Sequence, residues 1–163
     1  HYIGGLQKYL PDLMLLFAPN INSFRRYISG SQAPINLSWG VDNRTTGLRV
    51  PLSAPVARRV ENRIAGADAN PYLMIAASLA AGLAGMEEKL SPSAPETGSA
   101  YESSHDLAQT FLAALTQMRQ SDSARRLLGD DFVTGFVSVK EIEFQSYLSE
   151  IGAWERRFLG PQC

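Results

Sequence analysis

Residues 58–63 read RRVENR, with Arg59, Glu61 and Arg63 at alternate positions. In an extended strand, alternate side chains project to the same face. A strand over 58–64 therefore predicts one face carrying Arg59, Glu61 and Arg63, and another carrying Val60, Asn62 and Ile64. Upstream, INLSWGV (35–41) alternates apolar and polar residues and predicts a strand. DNRTTG (42–47) is rich in turn formers, and LRVP (48–51) predicts a second short strand. Arg49 lies between Leu48 and Val50, so it too projects opposite an apolar face. The expectation is a short, mostly antiparallel sheet whose polar face gathers arginines around one glutamate.

Helices flank this sheet. GGLQKYLPDLMLLF (4–17) predicts a helix with a break near Pro11. APNINS (18–23) predicts a loop. AGADANP (65–71) ends in a helix start, with Asn70 as N-cap and Pro71 as first helical residue. The helix from Pro71 to about Lys89 carries Leu73, Ile75, Leu79, Leu83, Met86 and many alanines, which predicts close packing on more than one side. SPSAPETGSA (91–100) predicts a flexible loop. Ser103 to Asp106 resembles a capping box opening a helix through about Arg119. A short helix stopped by Gly129 follows, then a last helix from about Asp130 to Leu159. Its stripe of Tyr147, Ile151, Trp154 and Phe158 suits core or subunit contact. The fold class expected is α+β, the sheet backed by the helices after residue 70.

Composition bounds the function. The 163 residues suffice for one domain with a core. The one cysteine, Cys163, allows no internal disulfide, which fits a reducing, cytoplasmic location. His1 and His105 have no partner at metal-ligand spacing. No signal or transit pattern is present, and the apolar run from Pro71 to Met86 is shorter than the roughly 20 residues of a membrane span. Net charge is −1, but its placement is uneven. Arg25 to Arg63 holds seven arginines, no lysine and two acids, a surplus of five positive charges that leaves six negative charges on the remainder. Nucleic-acid surfaces usually mix lysine with arginine over a basic domain, so no nucleic-acid partner is expected. Arginine alone suits planar, bidentate recognition of carboxylates or phosphates.

Two readings of the arginine face follow. One is a polyanionic ligand with a metal ion: Glu61 offers a hard oxygen to magnesium, and the arginines offset charge that develops in phosphoryl transfer. The other is a ladder of structural ion pairs, which gives the same pattern. No P-loop or dinucleotide glycine pattern is present.

YIGGL (2–6), NSFRRY (22–27), DNRTTGLRVP (42–51), RRVENR (58–63) and ANPYL with AAGLAGM (69–86) occur in an order that resembles the C-terminal part of the glutamine synthetase family, over nearly the whole chain. FAPNINS, WGVDNRTTGLRVP, GADANPYL and WERRFL look closest to the branch that joins glutamate to amines, the γ-glutamylpolyamine synthetase type. The resemblance implies a ligase that activates the γ-carboxylate of glutamate with ATP and magnesium or manganese, as γ-glutamyl phosphate. Ammonia or a small amine then displaces the phosphate. It implies that Arg26 and Arg63 hold glutamate, and that Arg44, Arg49 and Arg59 contact ATP phosphates or the transferred group, Arg44 and Arg59 acting catalytically. Glu61 would be a ligand of one divalent metal.

Two departures refine this. Ammonia-using members carry a glutamate before the AP pair of the flap, where this chain has Gln32. A glutamine neither attracts ammonium by charge nor acts as a base, which suits a larger amine. Trp39 could line an alkyl chain and Asp42 could pair with a distal ammonium; a core tryptophan and a turn aspartate are the plainer alternatives. The second departure is extent. Residues 1–163 match only the C-terminal portion of the catalytic domain, without the segments that supply most metal ligands. The resemblance implies active sites shared between subunits of a homo-oligomer, so the chain alone is expected to be inactive. Tyr101 lies where some members are adenylylated, but SAYESS lacks the usual following motif. The rival readings are ammonia-dependent glutamine synthetase, a non-catalytic relative kept for assembly or binding, and a polyanion-binding module.

Overall fold

The computed structural model describes residues 1–28, 33–101 and 107–162. Its elements run α1 (Tyr2–Phe17), a 3-10 turn (Ile21–Arg26), β1 (Trp39–Val41), β2 (Leu48–Val50), a 3-10 turn (Pro55–Ala57), β3 (Glu61–Asn62), α2 (Pro71–Glu87), α3 (Phe111–Gln120), α4 (Asp122–Leu128), α5 (Asp130–Ser149), α6 (Ala153–Phe158) and a 3-10 turn (Gly160–Gln162). The architecture is α+β, as expected. Among the described residues, no helix is long and apolar enough to cross a membrane.

Helix α1 is the centre of the core. Leu13, Met14, Leu15, Leu16 and Phe17 are consecutive and all buried, so neighbours surround the C-terminal half of α1. It packs on α2, α3 and α4. The break expected near Pro11 is absent, and α1 continues through it. Proline deletes one backbone hydrogen bond, but burial on every side supplies the stability that propensity does not.

The α1–α2 crossing is a backbone contact. A Cβ on Gly5 would lie 2.7 Å from Gly85 Cα, and closer still to the Ala81 carbonyl. Ala77, Ala81, Gly82, Ala84 and Gly85 form the buried side of α2, while Tyr72, Ile75, Leu79, Leu83 and Met86 are exposed. The expectation of a helix packed on several sides is thus corrected. Small residues face inward because only they let the two backbones meet, and the large ones face outward.

Local signals hold where they are local. Asn70 Oδ1 accepts from Tyr72 N (3.0 Å) and Leu73 N (3.4 Å), with Pro71 at the first helical position. Gly129, at φ 90°, ends α4. Helix α3 begins at Phe111, its cap being Thr110, whose Oγ1 accepts from Ala113 N at 3.2 Å. The capping box read over 103–106 lies outside the described residues. The 18–23 loop gives way to the Ile21–Arg26 turn, tied by Asn20 N to Ser23 Oγ (3.0 Å). The single last helix is two, parted at Glu150–Gly152, with Gly152 as the cap of α6. Tyr147, Ile151, Trp154 and Phe158 are exposed here.

The sheet is shorter than expected and mixed: β1 pairs parallel with β2, and β2 antiparallel with β3. Parallel neighbours normally need a crossover of about a dozen residues or more. These strands are so short that 42–47 suffices to bring the chain back beside β1. That turn is self-supporting: Asn43 Oδ1 accepts from Thr45 N (3.0 Å) and Thr45 Oγ1 (2.7 Å), and buried Asn36 bonds Gly47 N, Thr45 O and Ala100 O. Leu48 and Ile64 carry the sheet's apolar face into the helical core.

Glu88 ties three helices at the far end. It accepts from Lys8 Nζ (2.8 Å), Tyr9 Oη (2.6 Å) and Arg126 Nη2 (2.9 Å). The Lys8 and Tyr9 hydrogen bonds, with Arg126 beside them, hold its carboxyl down at about 2 against an ordinary 4.5. A depressed carboxyl contributes stability that is fully present above the unfolded value and lost as pH falls through the folded one. The window is therefore pH 4.5 down to about 2. Acid titration followed by circular dichroism is expected to show Glu88→Gln with a flatter loss of stability across that window.

Alanine for glycine inside a helix ordinarily stabilises by up to about 1 kcal/mol. Gly85→Ala is expected to do the reverse, costing about 1–3 kcal/mol in urea denaturation, because the added methyl meets α1 backbone. The isolated chain is also expected to self-associate through its outward apolar stripes, checked by analytical ultracentrifugation.

Candidate active site

The β2–β3 register places Arg49 directly opposite Glu61. Directly opposed side chains on one face lie close enough to pair, and Arg49 Nη1 donates to Glu61 Oε2 at 2.8 Å. Arg49 Nη2 also donates to the Asp42 carboxylate. Just past β3, Arg63 N donates to Gly47 O at 2.9 Å, keeping that residue alongside β2. Its Nε lies 3.4 Å from Glu61 Oε1, and its Nη1 donates to the Arg44 carbonyl. Asp42, Arg49, Glu61 and Arg63 thus form one alternating run of charge. Hydrogen bonds to Asp42 and then Glu61 raise the pKa of Arg49.

The run is presented, not entombed. The side chains of Arg49 and Arg63 are 17% and 18% exposed, and that of Glu61 is 41% exposed. Arg49 Nε is buried and has no acceptor among the described residues. Two carboxylates therefore do not complete the hydrogen bonding of this guanidinium, which has five N–H donors.

A third arginine approaches from the Ile21–Arg26 turn. Arg26 Nη1 donates to Ile64 O (2.7 Å) and its Nη2 to Arg63 O (3.4 Å), which seats it behind the Arg63 backbone. The Tyr27 hydroxyl donates to the same Ile64 carbonyl. Burial pushes that hydroxyl up to about 12, against the opposing pull of Arg26. Tyr27 was invisible as a functional residue in the sequence; its only signal was standing beside two arginines.

The remaining candidates are more dispersed. Arg44 is exposed and lines a hollow of about 740 Å³ between the 42–45 turn and Pro95–Ser99. Arg59 precedes β3, is exposed, and donates to Ala57 O (3.1 Å); it makes no ion pair among the described residues. The strand expected over 58–64 is reduced to Glu61–Asn62, so regular pairing does not extend to Arg59. Trp39 opens β1, and its Nε1 donates to Ser93 O at 2.8 Å. With Glu96 N on Trp39 O (2.8 Å) and Asn43 Nδ2 on Gly98 O (2.8 Å), it straps the 91–100 segment along the outer edge of the sheet. Gln32 lies outside the described residues.

The donor set fits polyphosphate better than it fits a complete metal centre. Magnesium takes six oxygen ligands, and among the described residues no group of three or more His, Cys, Asp or Glu could hold a metal. Glu61 could be one corner of such a site. Arg49 and Arg63, two neighbouring and partly exposed guanidinium forks, suit a phosphate or carboxylate.

Comparison with known proteins identifies the family. The model of the glutamine synthetase catalytic domain matches residues 1–159. A glutamate–isopropylamine ligase of Pseudomonas sp. is 42% identical over 95% of the chain and 35% of its own length. A γ-glutamylethanolamide synthetase of Streptomyces coelicolor is 35% identical over 96% of the chain and 34% of its own. The solved apo structure of GmaS superposes with a TM-score of 0.80 at 31% identity, covering 96% of this chain and 37% of that one. The chain spans about a third of the length of these curated relatives. With the sheet, its arginine–glutamate run and the helices all falling within the matched residues, the chain belongs to the glutamine synthetase family.

Proposed function

We propose that this chain forms part of an ATP-dependent ligase that joins the γ-carboxylate of glutamate to a small amine. The observation that carries the reading is the Arg49–Glu61–Arg63 run, two forked cations around one carboxylate on a partly open sheet face. ATP, bound with magnesium or manganese, would give its γ-phosphoryl group to the γ-carboxylate and leave as ADP, so that phosphate becomes the group the amine displaces. Arg49, Arg44 and Arg59 would offset phosphate charge, Arg44 and Arg59 nearest the transferred group. Arg63 and Arg26 would hold glutamate through its carboxylates. Glu61 would give one oxygen to the metal, with further ligands from chain beyond these residues. On this reading residues 1–163 are the C-terminal portion of a longer catalytic domain that works as a homo-oligomer in the cytoplasm, and are inactive alone.

An amine rather than ammonia is favoured by Gln32, which lacks the charge and basicity that ammonium needs. Two of the most similar relatives are named for isopropylamine and ethanolamide chemistry. Trp39 would sit near the amine's alkyl part. Ordinary glutamine synthesis is the second reading, supported by a 33% identical glutamine synthetase of Staphylococcus epidermidis.

ADP release by the natural full-length protein, with ATP, magnesium and glutamate, is expected to be strong with isopropylamine, ethanolamine or a diamine and weak with ammonium. Preference for ammonium would return the protein to glutamine synthesis; no turnover with any acceptor would favour a non-catalytic relative. Gln32→Glu is expected to lower the KM for ammonium by about tenfold, the worth of one charged hydrogen bond. Glu61→Gln is expected to lower kcat by roughly 10²–10³-fold, read by the same ADP assay.

A further inference from the structure

Arg49 is gripped by two carboxylates in different positions. Glu61 stands across the sheet ladder and is itself shared with Arg63. Asp42 stands one residue past β1, with φ 50°, in the left-handed region. Few residues with a side chain accept that conformation; Asp and Asn are among those that do. It coincides with a double hold on β2: Asp42 N donates to Val50 O at 2.9 Å, and its carboxylate accepts from Arg49 Nη2. Backbone and side chain of one residue thus fix the strand and the guanidinium it carries. The next residues are braced too, since Asn43 accepts from Thr45 and reaches the 96–98 carbonyls. The Asp42 side chain is 46% exposed, but its carboxylate is already engaged by the Arg49 guanidinium, which competes with any diffusing cation for it. Meanwhile Asp42 and Glu61 take one N–H each, from different Nη nitrogens of a guanidinium with five, so Asp42 orients this arginine without exhausting it.

We propose that Asp42 is a positioning residue for Arg49, holding its guanidinium toward an incoming phosphate, and that it does not contact the amine. This rests on the ligase reading above. Both Asp42→Gly and Asp42→Asn tolerate the left-handed backbone, the first removing the carboxylate and the second only its charge.

The test is calorimetric binding of the non-hydrolysable analogue AMP-PNP with magnesium to the natural full-length protein, alongside amine KM. Asp42→Gly is expected to weaken analogue binding by roughly tenfold and Asp42→Asn by less, with amine KM within about twofold of the parent. Arg49→Lys, which loses the fork, is expected to mimic this, and the Asp42→Asn/Arg49→Lys double variant to be no worse than Arg49→Lys alone. Thermal melts of each variant show whether the fold survives. Unchanged analogue binding in both Asp42 variants would overturn the proposal, as would a raised amine KM with binding intact, which would make Asp42 an amine contact. Failure of the parent itself to bind the analogue would overturn the ligase reading and the proposal with it.

Discussion

The close crossing of α1 and α2 at Gly5 and Gly85 is the constraint on which the rest depends. It brings two backbones together where neither can carry a side chain, and so sets α1 in the middle of the core. With α1 fixed, its end delivers the chain to the turn holding Arg26. Phe17 O accepts from Gly66 N at 2.9 Å, tying α1 to the segment that follows Arg63. The two arginines read as glutamate ligands are thus held against one helix end, although 37 residues separate them in sequence. A rigid platform of this kind is what charged recognition needs, because loosely held arginines lose rotamer entropy on each encounter.

The charged run has a dual character. Asp42–Arg49–Glu61–Arg63 satisfies most of its own hydrogen bonding, as a structural ladder would. Yet its members stay partly open, Arg49 retains an unmet donor, and Glu61 is shared between two cations. Ion pairs this exposed contribute little to stability, on the order of 0–1 kcal/mol each. Stability alone is a weak reason to gather four charges on so small a sheet. On the proposed ligase reading, pre-arranged charge for a phosphorylated ligand is the stronger one, since such groups need no reorganisation when charge develops.

Much of the fold was legible where the signals are local. Asn70 with Pro71 and Gly129 marked helix ends through chemistry that acts over three or four residues. The alternation at 58–63, with Arg49 between Leu48 and Val50, set Glu61 and Arg49 on one polar face, as the register has them, because strand geometry fixes side-chain direction. What depended on distant partners was not legible. The strand at 58–64 shrank because only Glu61 and Asn62 find ladder partners. Pro11 failed to break α1 because burial outweighed the lost hydrogen bond, and α2 turns its small residues inward to meet Gly5 of α1, a partner that could not be guessed from α2 alone. In the site, the grip of Asp42 on Arg49 and the seating of Arg26 and Tyr27 on the Ile64 carbonyl are tertiary contacts with no motif of their own.

The most direct test of the account follows oxygen. The natural full-length protein would be given ATP, magnesium, isopropylamine and glutamate labelled with ¹⁸O in its γ-carboxylate, and the released phosphate analysed by mass. Activation of the carboxylate forms an O–P bond, and attack by the amine nitrogen breaks the C–O bond, so one labelled oxygen must leave with phosphate as the γ-glutamyl amide forms. Singly labelled phosphate in step with amide is the predicted result. Unlabelled phosphate, or no phosphate at all, would contradict the central claim.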